Sequence, residues 1–131
     1  MESWRAAWRK GFAPGLPTEG LRVLLTALRL DDVQLLQGAT CSPPPMMCVE
    51  DWPVEAADAI CYVGWHGNGL TKVRQVSEFF AQQCREADER LQEPAGCSYF
   101  LNWFDDTPRD VMRRELGFEV EMELTRRRET A

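Results

Sequence analysis

The chain carries a single histidine, His66, set in the run Gly64-Trp65-His66-Gly67-Asn68-Gly69. An imidazole titrates near neutrality, so on an exposed glycine-rich loop beside an aromatic ring it can act as a base or as a recognition contact. Trp65, His66 and Asn68 are therefore candidate binding residues. A second group of oxygen ligands, Asp105, Asp106 and Asp110 with Asn102 one turn earlier, has the density that a hard cation such as Mg²⁺ uses. If His66 and these aspartates met across one cleft, the chain would be a small metal-dependent or acid-base enzyme. The simpler expectation is that the three aspartates complement the dipole at a helix N-terminus. On that reading no catalytic residue, metal ligand or cofactor is assigned.

The aspartate spacing resembles the aspartate-rich motif of terpenoid synthases over six residues. A chain of 131 residues is far too short for that fold, and Thr107-Pro108 interrupts the motif, so no function is carried over. The five cysteines, Cys41, Cys48, Cys61, Cys84 and Cys97, are odd in number and widely spaced, which is not a secreted disulfide framework. Cys41, Cys48, Cys61 and His66 lack the short Cys-x-x-Cys knuckle of structural zinc sites. Free thiols are expected.

A formal charge of -6, from 21 acidic and 15 basic residues, disfavours nucleic-acid phosphates and anionic lipid as partners. Protein partners suit this acidity better. No apolar run is long enough to span a bilayer, and the basic residues among Trp4, Trp8 and Phe12 break any secretory leader, so a cytoplasmic protein is expected. Five tryptophans cannot all be central in a core of this size. Trp52, beside the proline loop, is the further candidate for a protein-binding surface.

The elements that must position these residues are helices. Trp4, Trp8 and Phe12 recur every four positions, predicting a helix over residues 2 to 12. Thr18 is the expected cap of a second helix with Leu21, Leu24, Leu25 and Leu28 as its buried stripe. Val33 to Leu36 reads as a further helical turn or two, and residues 38 to 52, with Pro43, Pro44 and Pro45, as the longest loop. Pro53 is placed at the start of a helix that ends at a turn over Gly64 to Gly69. The clearest periodicity covers residues 71 to 91, and Thr107-Pro108 opens a last helix in which residues 118 to 124 also alternate as a strand would. The expected fold is all-α: one compact, irregular array of five to six short amphipathic helices with one long proline-containing loop. Its expected role is a non-enzymatic protein-protein interaction module, such as an adaptor, inhibitor or immunity-type protein.

Overall fold

Trp4, Trp8 and Phe12 lie on one buried face, as their spacing requires. In the computed structural model, which describes residues 1–130, helix accounts for 68% of the chain. Helix α1 (Ser3–Ala6) runs directly into a π-helical stretch, Ala7–Phe12, and then a 3₁₀ turn, Ala13–Gly15. Gly11 lets this segment lie against the helix of residues 73 to 91, because a Cβ there would sit 3.1 Å from Leu91 and 3.2 Å from Ala87. Arg90 then donates to the Gly11 carbonyl at 2.8 Å, satisfying an acceptor at the loosened helix end.

Helix α2 (Thr18–Leu30) buries Leu21, Leu24, Leu25 and Leu28 as expected, but its cap differs. Pro17 occupies the N-cap and Thr18 is the first helical residue. The Thr18 hydroxyl instead accepts from Arg127 at 3.0 Å. Asp31 ends α2 in the left-handed conformation (φ 51°), and Arg113 donates to the free carbonyls of Leu28 (2.7 Å) and Arg29 (3.1 Å). A cation on the helix C-terminus both fills orphan acceptors and complements the dipole.

Val33 to Leu36 is not helical. Leu35 makes a parallel bridge to Ala57, and the Leu36 amide donates to the Ala57 carbonyl at 2.7 Å. Beside it, β1 (Cys41–Ser42) and β2 (Ala56–Ala57) form a two-stranded antiparallel ribbon with Cys41 opposite Ala57. These pairings join residues 14 to 22 positions apart, which no local periodicity registers. Pro53 likewise does not open a helix: it bridges Lys72, and the Val54 amide donates to the Thr71 carbonyl at 2.8 Å.

The next helix starts at Asp58 instead. Its carboxylate accepts the Cys61 amide at 2.9 Å and caps α3 (Ala59–Tyr62). A π-helical turn, Val63–Gly67, continues α3, so residues 64 to 67 are helical and the chain turns only at Asn68-Gly69, where Gly69 has φ +71°. Packing explains this departure. The Gly67 Cβ position falls on the backbone of Gly20, so the two glycines let this turn press against α2 without a side chain between them. Gly67→Ala is expected to lower stability by about 2 kcal/mol, the cost of overpacking a contact that only backbone can relieve. Urea titration should show a lower midpoint at unchanged slope.

Helix α4 (Val73–Leu91) opens with the Gln75 side chain accepting the Lys72 amide at 3.1 Å. Helix α5 (Ser98–Asp106) supplies the aromatic centre: Phe100 lies 5.2 Å from Trp8, 5.4 Å from Phe12 and 6.0 Å from Phe104. Trp103 stacks on Trp4 at 3.6 Å, nearly parallel. Helix α6 (Arg109–Thr130) resolves the ambiguity over residues 118 to 124 as helix, with Met112, Leu116, Val120 and Leu124 all buried. The described residues thus form six α-helices and one small ribbon, an all-α fold. No helix among the described residues is long and apolar enough to cross a membrane.

Candidate functional site

His66 projects from the π turn, exposed, with its ring stacked on Trp65 at 4.0 Å and 4.7 Å from the ring of Tyr62. Tyr62 donates its hydroxyl to Asp32 at 2.7 Å. The backbone amide of Gln34 chiefly, with the Tyr62 hydroxyl, holds the Asp32 carboxyl below its ordinary range. Burial pushes the Tyr62 hydroxyl up, and the bond to Asp32 pushes it further, so it stays a phenol. Partial burial lowers the His66 imidazole while Asp32 pulls it the other way, leaving a ring that is neutral at pH 7.

A neutral imidazole fixed on two aromatic rings offers a flat contact and a ring acceptor. The adjoining hollow, about 390 Å³, is lined by Glu19, Arg22, Val23, Thr26 and Tyr62. Its one aliphatic hydroxyl, Thr26, donates to the Arg22 carbonyl of its own helix at 3.2 Å, which is a structural bond. Tyr62 and Asp32 were missed from sequence as partners of His66. Asp32 lies thirty positions before Tyr62 and reads there only as a helix end.

The aspartate group separates. Asp105 and Asp106 end α5 rather than begin a helix, so they do not complement an N-terminal dipole; Asp110 alone lies in the first turn of α6. Asp105 accepts the Gly38 amide at 2.9 Å, while Gln37 donates to the carbonyls of Phe104 and Thr107, both at 2.8 Å. Together these bonds tie the loop after α2 to the end of α5. Asp110 borders a different hollow, with Arg29, Arg113 and Arg114, from the one beside His66. Among the described residues no three histidine, cysteine, aspartate or glutamate side chains gather as a metal ion requires.

The thiols are free, and two are buried. Cys41 donates to the Pro43 carbonyl at 3.3 Å and Cys61 to the Val76 carbonyl at 3.7 Å. Burial raises both thiols, which removes thiolate character. Cys84 and Cys97 are raised by burial as well, Cys97 to about 11. None of these four has the electropositive surroundings of a nucleophile.

Two buried carboxyls were not legible as special. Asp58 is 6% exposed, and burial pushes its carboxyl up to about 7. Glu119, its side chain 1% exposed, accepts from Arg9 at 2.6 and 2.9 Å and from Arg5 at 2.8 Å. Neither borders the His66 hollow.

The tryptophans divide as their number demands. Trp4 and Trp8 are buried, Trp65 and Trp103 are half-buried, and Trp52 is 55% exposed. Trp52 sits on a held loop: its carbonyl accepts the Val73 amide at 2.9 Å, and the Glu50 carbonyl accepts Arg74 at 2.9 Å. Asn68 is exposed beyond the π turn. Compared with known proteins, the chain matches no family model, no curated protein and no solved structure.

Proposed function

We propose that this chain is a non-enzymatic protein-interaction module whose principal contact is Trp52. The observation that carries the reading is a tryptophan, 55% exposed, on a loop whose backbone is bonded to the start of α4 at Glu50 and at Trp52 itself. An exposed tryptophan on held backbone gives a partner large apolar area with little ordering entropy to lose. Met46, 57% exposed, extends the apolar surface of the same loop, and exposed Glu50 and Glu55 flank it with negative charge, Asp51 being paired with Arg74 at 3.5 Å. The fitting partner presents an apolar pocket with basic residues at its rim. His66 and Asn68 form a second, flatter contact region on the π turn, with Trp65 as its support.

Trp52→Ala is expected to leave the melting temperature within about 2 °C of the parent, since little packing is removed. It should weaken partner binding about thirtyfold, as loss of an interface anchor does. A photo-crosslinking phenylalanine analogue at position 52, compared with the same analogue at exposed Tyr99 in the source cells, tests the reading. A discrete crosslinked protein from position 52 alone supports it; equal, diffuse labelling from both positions rejects it.

A further inference from the structure

The exposed face of α6 carries Phe118, 55% exposed, and Met122, 42% exposed, one turn apart. Phe118 stands as a ridge between two hollows. On one side a groove of about 620 Å³ runs toward the end of α6, with Trp8, Ala13, Met122 and Thr125 in its walls. On the other, a hollow of about 500 Å³ is bordered by Leu25, Leu28 and Gly117. Nothing lies within 4 Å of the Gly117 Cβ position, so the flank of the ridge is open to close approach. Trp8, fully buried, has an indole Nε1 without a hydrogen-bond partner.

We infer that this face pairs with a second copy of the chain, the two α6 helices lying antiparallel with each Phe118 seated in the groove of the other. The occupant is fixed by charge and spacing. Arg114, Phe118, Thr125 and Glu129 follow one another along α6 at steps of four, seven and four, so they share a stripe. A two-fold axis that sets Phe118 against Thr125 of a second copy also sets Arg114 against its Glu129, one turn further out, at both ends of the interface.

Among the described residues these two charges lack firm partners. Arg114, 67% exposed, has only its neighbour Glu115 at 3.8 Å, and Glu129 makes no ion pair among the described residues. Other charges along the groove are already engaged: Arg9 with Glu119, Arg126 with Glu123, and Glu121 with Arg29. Ridge, groove and unpaired opposite charges are therefore all present on one surface, which is the condition for an isologous pair. This inference is independent of the contact assigned to Trp52.

Sedimentation equilibrium of the full chain from about 1 μM to about 1 mM should show the mass rising toward twice that of the monomer. Phe118→Asp should remove the rise. Arg114→Glu and Glu129→Arg should each weaken association about tenfold, and the double reversal Arg114→Glu with Glu129→Arg should restore it. All three side chains are exposed, so circular dichroism should show unchanged folding. A chain that stays monomeric throughout, a dimer insensitive to Phe118→Asp, or a double reversal no better than either single variant would each overturn the pairing.

Discussion

Asp58→Asn is expected to stabilise the folded chain at pH 8 by up to about 4 kcal/mol, while changing it little below about pH 4. Asp58 is buried and caps α3 through the Cys61 amide at 2.9 Å. Burial opposes its charged form, and its carboxyl is raised from 3.8 to about 7. The sign follows from proton counts. Between about pH 4 and 7 the folded state holds a proton that the unfolded chain has released, so stability falls as pH rises through this window. Above it, a buried carboxylate remains and the full penalty applies.

Asparagine accepts the same capping bond without the charge, and it is as good a cap as aspartate. The variant should therefore lose the decline between pH 4 and 7 and keep its acid limb. That limb belongs to Glu123, Asp31, Asp32 and Glu119, whose carboxyls are all held below their ordinary range and lose their contribution as pH falls through it. Urea unfolding of both proteins at half-unit pH steps measures the difference directly. Parallel curves for parent and variant would mean that Asp58 is ionised without penalty.

How much of this was legible depended on whether a residue's partner lay within a few turns. The helices at 71 to 91 and after Thr107 announce themselves because apolar residues repeat at three and four positions over five or six turns. Residues 33 to 36 and 53 to 58 carry apolar runs too short to fix a period, and their backbone partners are distant: Leu36 bonds Ala57, and Val54 bonds Thr71. The proline loop was legible from composition, but its attachment to α4 was not.

Glycine usually breaks helices, so Gly64 to Gly69 reads as a turn, whereas Val63–Gly67 is a π-helical turn. Here Gly67 is used for contact with Gly20, which sequence position alone does not reveal. The same limit hid the surroundings of His66, where Tyr62 is a helical neighbour but Asp32 arrives from the end of α2. Surplus tryptophan was a sound signal that some indoles must be exposed; which one required the packing. Glu119 was visible only as one of the glutamates alternating with Phe118, Val120 and Met122, a pattern that looked half-exposed. In α6 it turns inward because Arg5 and Arg9, four residues apart on the N-terminal helix, meet it there.

That meeting gives the other large expected effect. Glu119→Ala should destabilise the chain by about 3 kcal/mol, at the lower end for breaking a buried ion pair. The carboxylate accepts three short bonds from two guanidinium groups, and its removal leaves Arg5, with a side chain only 17% exposed, beside a cavity with only the longer contacts to Glu115 (3.2 Å) and Glu2 (3.3 Å). Arg9 is 36% exposed and can turn to water, so the loss falls mainly through Arg5 and the emptied space. Arg5 also lies over the Trp4 ring at 4.5 Å, and Trp4 stacks on Trp103, so the disturbance reaches the contact between α1 and α5. A fall in melting temperature on the order of 10 °C is expected at pH 7. The pH dependence carries a separate signature. Burial alone would raise the Glu119 carboxyl, but the bonds from Arg9 and Arg5 outweigh it and hold it below its ordinary range. Its contribution is therefore present above the unfolded carboxylate pKa and lost as pH falls through the depressed value. The deficit of Glu119→Ala should shrink as pH falls below the unfolded carboxylate range and through the depressed folded value, leaving only the share that belongs to the emptied space. A deficit of the same size at pH 3 and pH 7 would assign the effect to the cavity and not to the charge. The replacement of Arg5, Arg9 and Glu119 together by apolar side chains of similar volume should recover most of the loss, because no unpaired charge then remains in the interior.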